Sequence, residues 1–221
     1  MPTQPRTPTS GPPTSGPPTS KQRMSTSSTR AEAGGVAGLV LAPGASAGRD
    51  QPALVAIDEA LSESRVQVER IDFPYRLAGR RAPDRPPVLI ATVVEAAQSL
   101  ARALKVAPRR IALGGRSMGG RMCSMAVAEG LEAAALVLVS YPLHPPGKPE
   151  RLRTEHFAAL DVPCLFVSGT RDAFATPDEL EAATSAIPGA VTHVWIDGGD
   201  HGLRGRDSRV AEIVQEWVCG L

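Results

Sequence analysis

Three side chains in this sequence could carry chemistry. Ser117 sits in Gly115-Arg116-Ser117-Met118-Gly119, a G-x-S-x-G pattern. Alone the pattern is weak, because 21 of the 221 residues are glycine. Its setting says more. The apolar stretch RIALG at 110–114 runs straight into it, and the helix-like stretch 118–129 follows. A serine on a sharp strand-to-helix turn lifts its hydroxyl above the sheet edge. The free N–H groups and positive dipole end of the following helix lie beside that hydroxyl. The Met118 N–H, next after the nucleophile, is therefore an expected oxyanion donor.

A serine hydroxyl attacks only when a base takes its proton. His201 is the best candidate, in Gly198-Gly199-Asp200-His201-Gly202 just beyond the strand-like run 191–196. Such a histidine can be an ordinary surface residue. Its place at the carboxyl end of a strand, where open-sheet sites assemble, favours the base. The base needs an acid to hold its tautomer. Asp172, in Ser168-Gly169-Thr170-Arg171-Asp172, is the leading choice. Asp200 is the rival, but sequence neighbours rarely point their side chains at each other productively. A second oxyanion donor is expected from the loop Pro43-Gly44-Ala45-Ser46-Ala47-Gly48, with Ala45 first and Gly44 next; the plain alternative is a simple turn. Arg116 and Arg121 flank the serine and either pair with acids on the helix surface or, for Arg116, meet a substrate carboxylate. Cys123 reads as a small buried hydrophobe, and Trp195 and Trp217 as packing residues.

These residues need a frame. VAGLVL at 36–41 reads as a buried strand ending at Pro43-Gly44. Helical spacing of Leu54, Ile57 and Leu61 predicts a helix over 52–63, and VQVERIDF at 66–73 a strand that Pro74 helps end. Pro86-Pro87 opens a helix continued by 88–105. Further strands are expected at 110–114, 134–140, 163–169 and 191–196, and helices at 118–129, 177–186 and 208–219. Alternating strands and helices argue for a mostly parallel sheet with helices on both faces. Residues 141–162, with five prolines or glycines among 141–149, show no periodicity.

Composition bounds the rest. The length suits one domain. Residues 1–33 are expected to be a disordered Pro/Ser/Thr/Gly-rich tail, and 34–221 the globular domain. A proline-rich recognition motif is the functional alternative for the tail, and Met24 is an alternative start. Residues 1–31 hold four basic groups and no acid, so the remaining 190 residues carry 20 basic and 23 acidic groups. That mildly acidic body gives no support for nucleic-acid binding. Three cysteines without close pairing read as a reduced compartment. Without CxxC, HExxH or clustered soft ligands, neither a metal nor a cofactor is expected. Apolar runs of strand length, and no apolar leader stretch, argue against a membrane partner and make a cytoplasmic location the default. A homo-oligomer is possible through an edge strand but is not indicated.

The chain resembles the small α/β-hydrolases of the dienelactone-hydrolase-like group. It looks most like the set that includes testis-expressed protein 30 and subunit 3 of the non-specific-lethal chromatin complex. The loop Leu41–Gly48, the elbow Gly114–Arg121, and the pair Gly169–Asp172 with Gly199–His201 carry the likeness. Its most specific sign is the string YPLHPPGKPERLRTEH from Tyr141 to His156. The chain departs from its relatives in having Pro43-Gly44 where they usually have a His-Gly pair. The resemblance implies a three-layer α/β-hydrolase fold with a mostly parallel central sheet, minimal and without a lid domain. It implies Ser117, Asp172 and His201 as nucleophile, acid and base, and an ordered wall from Tyr141 to His156 near the site. Arg116, Tyr141, His144 and Phe174 are the candidate pocket residues. The expected activity is hydrolysis of a small soluble ester, thioester or related acyl substrate. The alternative is a non-catalytic protein-interaction module on the same fold.

Overall fold

Parallel strands cannot be joined by tight hairpins, so each needs a crossover, and the alternation in this sequence supplies one after nearly every strand. A computed structural model describes residues 35–221; the expected disordered tail lies outside the described residues. Six strands form one parallel sheet: β1 Gly38–Ala42, β2 Gln67–Arg70, β3 Ile111–Arg116, β4 Leu136–Val139, β5 Cys164–Gly169 and β6 Val191–Ile196. Their spatial order is β2-β1-β3-β4-β5-β6. The central strands β1, β3, β4 and β5 are almost entirely buried, as expected for a parallel sheet covered on both faces.

The helices are α1 Pro52–Leu61, α2 Pro74–Leu77, α3 Pro86–Leu104, α4 Met118–Ala128, α5 Pro177–Thr184 and α6 Asp207–Cys219. Leu54, Ile57 and Leu61 of α1 and Val210, Val214 and Val218 of α6 pack against one face of the sheet. Leu89, Val93 and Leu100 of α3, Met122 and Ala126 of α4, and Leu180 of α5 pack against the other. The result is the expected three layers, with no inserted lid between β4 and β5.

Two expectations change. Pro74 does not simply end a strand: it is the first residue of α2, where a fixed φ and a missing N–H cost nothing. The apolar runs are also not all of strand length. The 19-residue α3 is long and apolar enough, by length and composition, to cross a membrane. Here one stripe of it, including Leu89, Val93, Ala97 and Leu100, is buried in the core.

The sheet order sets where the site lies. The chain builds outward from β1 to β2, then returns to place β3 on the other side of β1. The helix after β1 covers one face, and the helix after β3 covers the other. The loops leaving these neighbouring strands therefore diverge, and a crevice opens between them at the strands' carboxyl ends.

Candidate active site

Ser117 stands at the C-terminal end of β3 as the residue before α4, with φ 52° and ψ −116°. A non-glycine residue pays strain for this conformation, and the surrounding contacts hold it there. The Ser117 N–H donates to the Val139 carbonyl of β4 (2.8 Å), and its carbonyl accepts from the Arg121 N–H (3.1 Å). The turn also needs a close backbone approach. A Cβ on Gly119 would lie 2.2 Å from the Ala42 carbonyl oxygen, so only glycine lets α4 start this near β1.

The loops after β5 and β6 bring the other two residues in. A Cβ on Gly169 would stand 2.2 Å from the Gly199 carbonyl oxygen. Without it, the Arg171 N–H donates to that carbonyl (2.9 Å) and the Gly198 N–H donates to the Thr170 hydroxyl (2.9 Å). The acid-bearing and base-bearing loops are thus bonded to each other.

Ser117 Oγ lies 2.9 Å from His201 Nε2, and His201 Nδ1 lies 2.8 Å from Asp172 Oδ2 and 3.0 Å from Oδ1. The Asp172 side chain is fully buried, and its Oδ1 also accepts the Phe174 N–H (2.8 Å). The Phe174 ring stacks on the His201 imidazole, 3.9 Å between centroids, and covers one face of it. With the Nδ1 proton directed at Asp172, Nε2 is the lone-pair nitrogen facing the serine hydroxyl. The three residues therefore form one relay of hydrogen bonds from hydroxyl to buried carboxylate. Asp200, the rival acid, is exposed and does not hydrogen-bond to the imidazole.

The relay opens into a cleft of ≈ 410 Å³. Gly44, Ala45, Ser46, Met118 and Phe174 line it, as do Arg116, Arg121, Pro142 and Arg153. Met118 is the first residue of α4, so its N–H has no partner within the helix. In the facing loop the Gly44 N–H is already spent on Gln51 Oε1 (2.9 Å). That removes Gly44 as a free donor and leaves Ala45. The Tyr75 hydroxyl of α2 donates to the Ala45 carbonyl (2.7 Å), and the Ala47 N–H donates to the Gly44 carbonyl (3.1 Å). Gln51 and Tyr75 thus fix the loop. Neither carries a sequence signal for that role, since both act through long-range contacts to backbone.

Of the candidate pocket residues, Arg116 and Phe174 reach the cleft, and Tyr141 and His144 do not. Tyr141 is buried against Phe157 and Phe166, its hydroxyl donating to the Arg153 carbonyl (3.0 Å). His144 is buried, with Nδ1 at the Pro145 carbonyl (2.9 Å) and Nε2 near Glu179 (3.3 Å). Aromatic and imidazole rings in an aperiodic stretch find their hydrogen bonds inside the wall. The wall is ordered, as expected: the Arg153 N–H donates to the Leu143 carbonyl (2.8 Å). Arg116 Nη2 donates to the His201 carbonyl, and burial holds its pKa below the ordinary arginine value. Cys123 is buried, its thiol pushed up to about 12 by burial, which makes it no nucleophile. Among the described residues no cluster of three or more His, Cys, Asp or Glu could hold a metal ion.

A parallel three-layer sheet with a strained serine elbow and a Ser-His-Asp relay defines an α/β-hydrolase. The chain belongs to that family: the family described as "Alpha/beta hydrolase domain" matches residues 35–217. The fold is also similar to solved structures. An alpha-beta serine hydrolase homologue from Coxiella burnetii is 19% identical, with a TM-score of 0.67 over 82% of this chain and 84% of that one. A dienelactone hydrolase from Anabaena variabilis is 20% identical, with a TM-score of 0.67 over 85% and 88%. Est1E from Butyrivibrio proteoclasticus is 17% identical, with a TM-score of 0.67 over 84% and 88%.

Proposed function

We propose that the protein is a serine hydrolase acting on a small soluble ester, thioester or related acyl compound. The observation that carries this reading is the unbroken relay from Ser117 Oγ through His201 to the buried Asp172 carboxylate. His201 Nε2 takes the Ser117 proton as Oγ attacks the acyl carbonyl carbon. Met118 and Ala45 N–H groups receive the negative charge that develops on the carbonyl oxygen. Asp172 accepts from Nδ1–H and stabilises the imidazolium. As the tetrahedral intermediate collapses, Nε2 returns the proton to the departing oxygen or sulfur. A water then loses its proton to Nε2 and attacks the acyl-serine, releasing the acid and restoring Ser117.

Within the superfamily, we propose kinship with testis-expressed protein 30 and subunit 3 of the non-specific-lethal complex. The string from Tyr141 to His156 supports this.

The test is covalent labelling by a neutral fluorophosphonate, read by intact mass. Wild-type protein gains one adduct, and Ser117→Ala gains none. Ser117→Ala also loses ester turnover by about a thousandfold or more, with thermal stability within about 0.5 kcal/mol of wild type, since no core packing is lost. A folded wild-type protein that takes no label overturns the hydrolase reading in favour of an interaction module.

A further inference from the structure

Most arginines among the described residues form no ion pair; what sets three of them apart is their place beside the triad. Away from the cleft, Arg70 pairs with Asp50 and Asp58, Arg80 with Asp84, and Arg209 with Glu212. In the cleft, Arg116, Arg121 and Arg153 stand together, and among the described residues none of them forms an ion pair. Arg116 and Arg153 each donate to one neutral backbone carbonyl, that of His201 and that of Pro142 (3.3 Å). A guanidinium has five donors, so both keep most of theirs. Arg121 Nε is buried and has no partner at all. Three carboxylates lie near Arg116: Asp172 is committed to His201 and the Phe174 N–H, and Asp207 and Asp200 act on Arg116 by charge without forming an ion pair with it. Glu155, two residues from Arg153, is exposed and unpaired.

The Tyr141–His156 wall now has a purpose. It fixes Arg153 at both ends of its backbone: the N–H on the Leu143 carbonyl (2.8 Å), and the carbonyl under the Tyr141 hydroxyl (3.0 Å). Arg121 is fixed too, since α4 places it one turn beyond Ser117. Burial, and next the Arg121 charge, hold the Arg153 pKa below the ordinary arginine value. Arg121 and Arg153, adjacent cations with no carboxylate paired to either, repel each other in the free protein and are relieved when an oxyanion arrives.

We propose that the cleft takes an acyl compound bearing a second, anionic group, a carboxylate or a phosphoryl group, held by Arg121 and Arg153 with Arg116 beside the triad. Turnover of such a compound rests on the hydrolase reading; binding of the anion does not.

The experiment compares three 4-nitrophenyl esters: the glutarate monoester, which carries a free carboxylate, the neutral valerate of equal chain length, and the ester of 4-phosphonooxybutanoic acid. At least one anionic ester should exceed valerate in kcat/KM by about 10-fold or more, the range expected for charge-assisted hydrogen bonds. The larger ratio identifies the group. Arg121→Gln and Arg153→Gln should each shrink that ratio toward one, and added salt should lower it in the wild type. Calorimetric titration with glutarate and with glycerol 3-phosphate reads the arginines without the serine. Ratios of one or less with both anionic esters, and no binding heat, in protein that the fluorophosphonate labels, overturn the anion site and leave the hydrolase standing. Unlabelled protein that binds glutarate or glycerol 3-phosphate, more weakly as Arg153→Gln, overturns the hydrolase and leaves the anion site standing. Unlabelled protein that binds neither overturns both.

Discussion

Asp172 makes two contacts with His201 Nδ1, at 2.8 and 3.0 Å, from a side chain with no solvent exposure. Asp172→Asn keeps the size and can still accept the Phe174 N–H, but its amide donor would turn the imidazole to the wrong tautomer. We expect kcat to fall by about 10⁴ and labelling of Ser117 to slow with it, while circular dichroism reports a folded protein. His156 gives a separate, pH-dependent prediction. Its Nε2 lies 2.8 Å from Ser124 Oγ, whose own proton goes to the Arg121 carbonyl. Burial first, and then the Arg121 charge, lower its pKa to about 4 from 6.5, against a smaller opposing pull from Glu155. Between those values the unfolded chain binds the proton and the folded chain does not. Stability is therefore full above pH 6.5 and falls as the pH drops toward 4. Melting temperature against pH should show this decline, and His156→Gln should flatten it. At this scale the triad was legible because each member follows a recognisable strand. The sequence does not place Gly44, Tyr141 and His144, because composition does not say which N–H is already bonded or which way a ring faces in an aperiodic wall. The same blindness hid Arg153.

Elements were easier to read than contacts. Strand runs such as VAGLVL and CLFVSG are continuous and apolar because a central parallel strand is buried on both sides, and they fell within two or three residues of their places. The four-residue α2 was missed because one turn is too short for a helical period to show. The stretch after β4 was unreadable for another reason. It is held by bonds such as Arg153 N–H to the Leu143 carbonyl, which leave no pattern in hydrophobicity. The contact between β1 and α4 supplies the prediction here. Gly119→Ala puts a methyl carbon 2.2 Å from the Ala42 carbonyl oxygen, backbone against which nothing can rotate away. We expect a loss of about 3 kcal/mol, at the upper end of overpacking costs, seen in urea midpoints. Labelling at Ser117 should fall with it, because the elbow would have to shift.

The layering of the whole molecule followed from the alternation of strands and helices alone, but the crevice depends on strand order, which the sequence does not spell out. With no lid inserted, the cleft of ≈ 410 Å³ is bounded only by short loops and the wall. Soluble short-chain esters should be turned over faster than long-chain ones, and the rate should not jump when a substrate passes its micelle concentration. A hydrolase that prefers long chains would contradict this. The triad also reaches its place in a set order. Ser117 follows β3, Asp172 follows β5, and His201 follows β6, the edge strand that pairs only with β5. A chain emerging from a ribosome therefore shows its serine some 80 residues before its base, and until the last strand docks that hydroxyl is no more reactive than any other alcohol. Half-made protein is chemically silent, and the first acyl group cleaved during refolding dates the closing of the sheet.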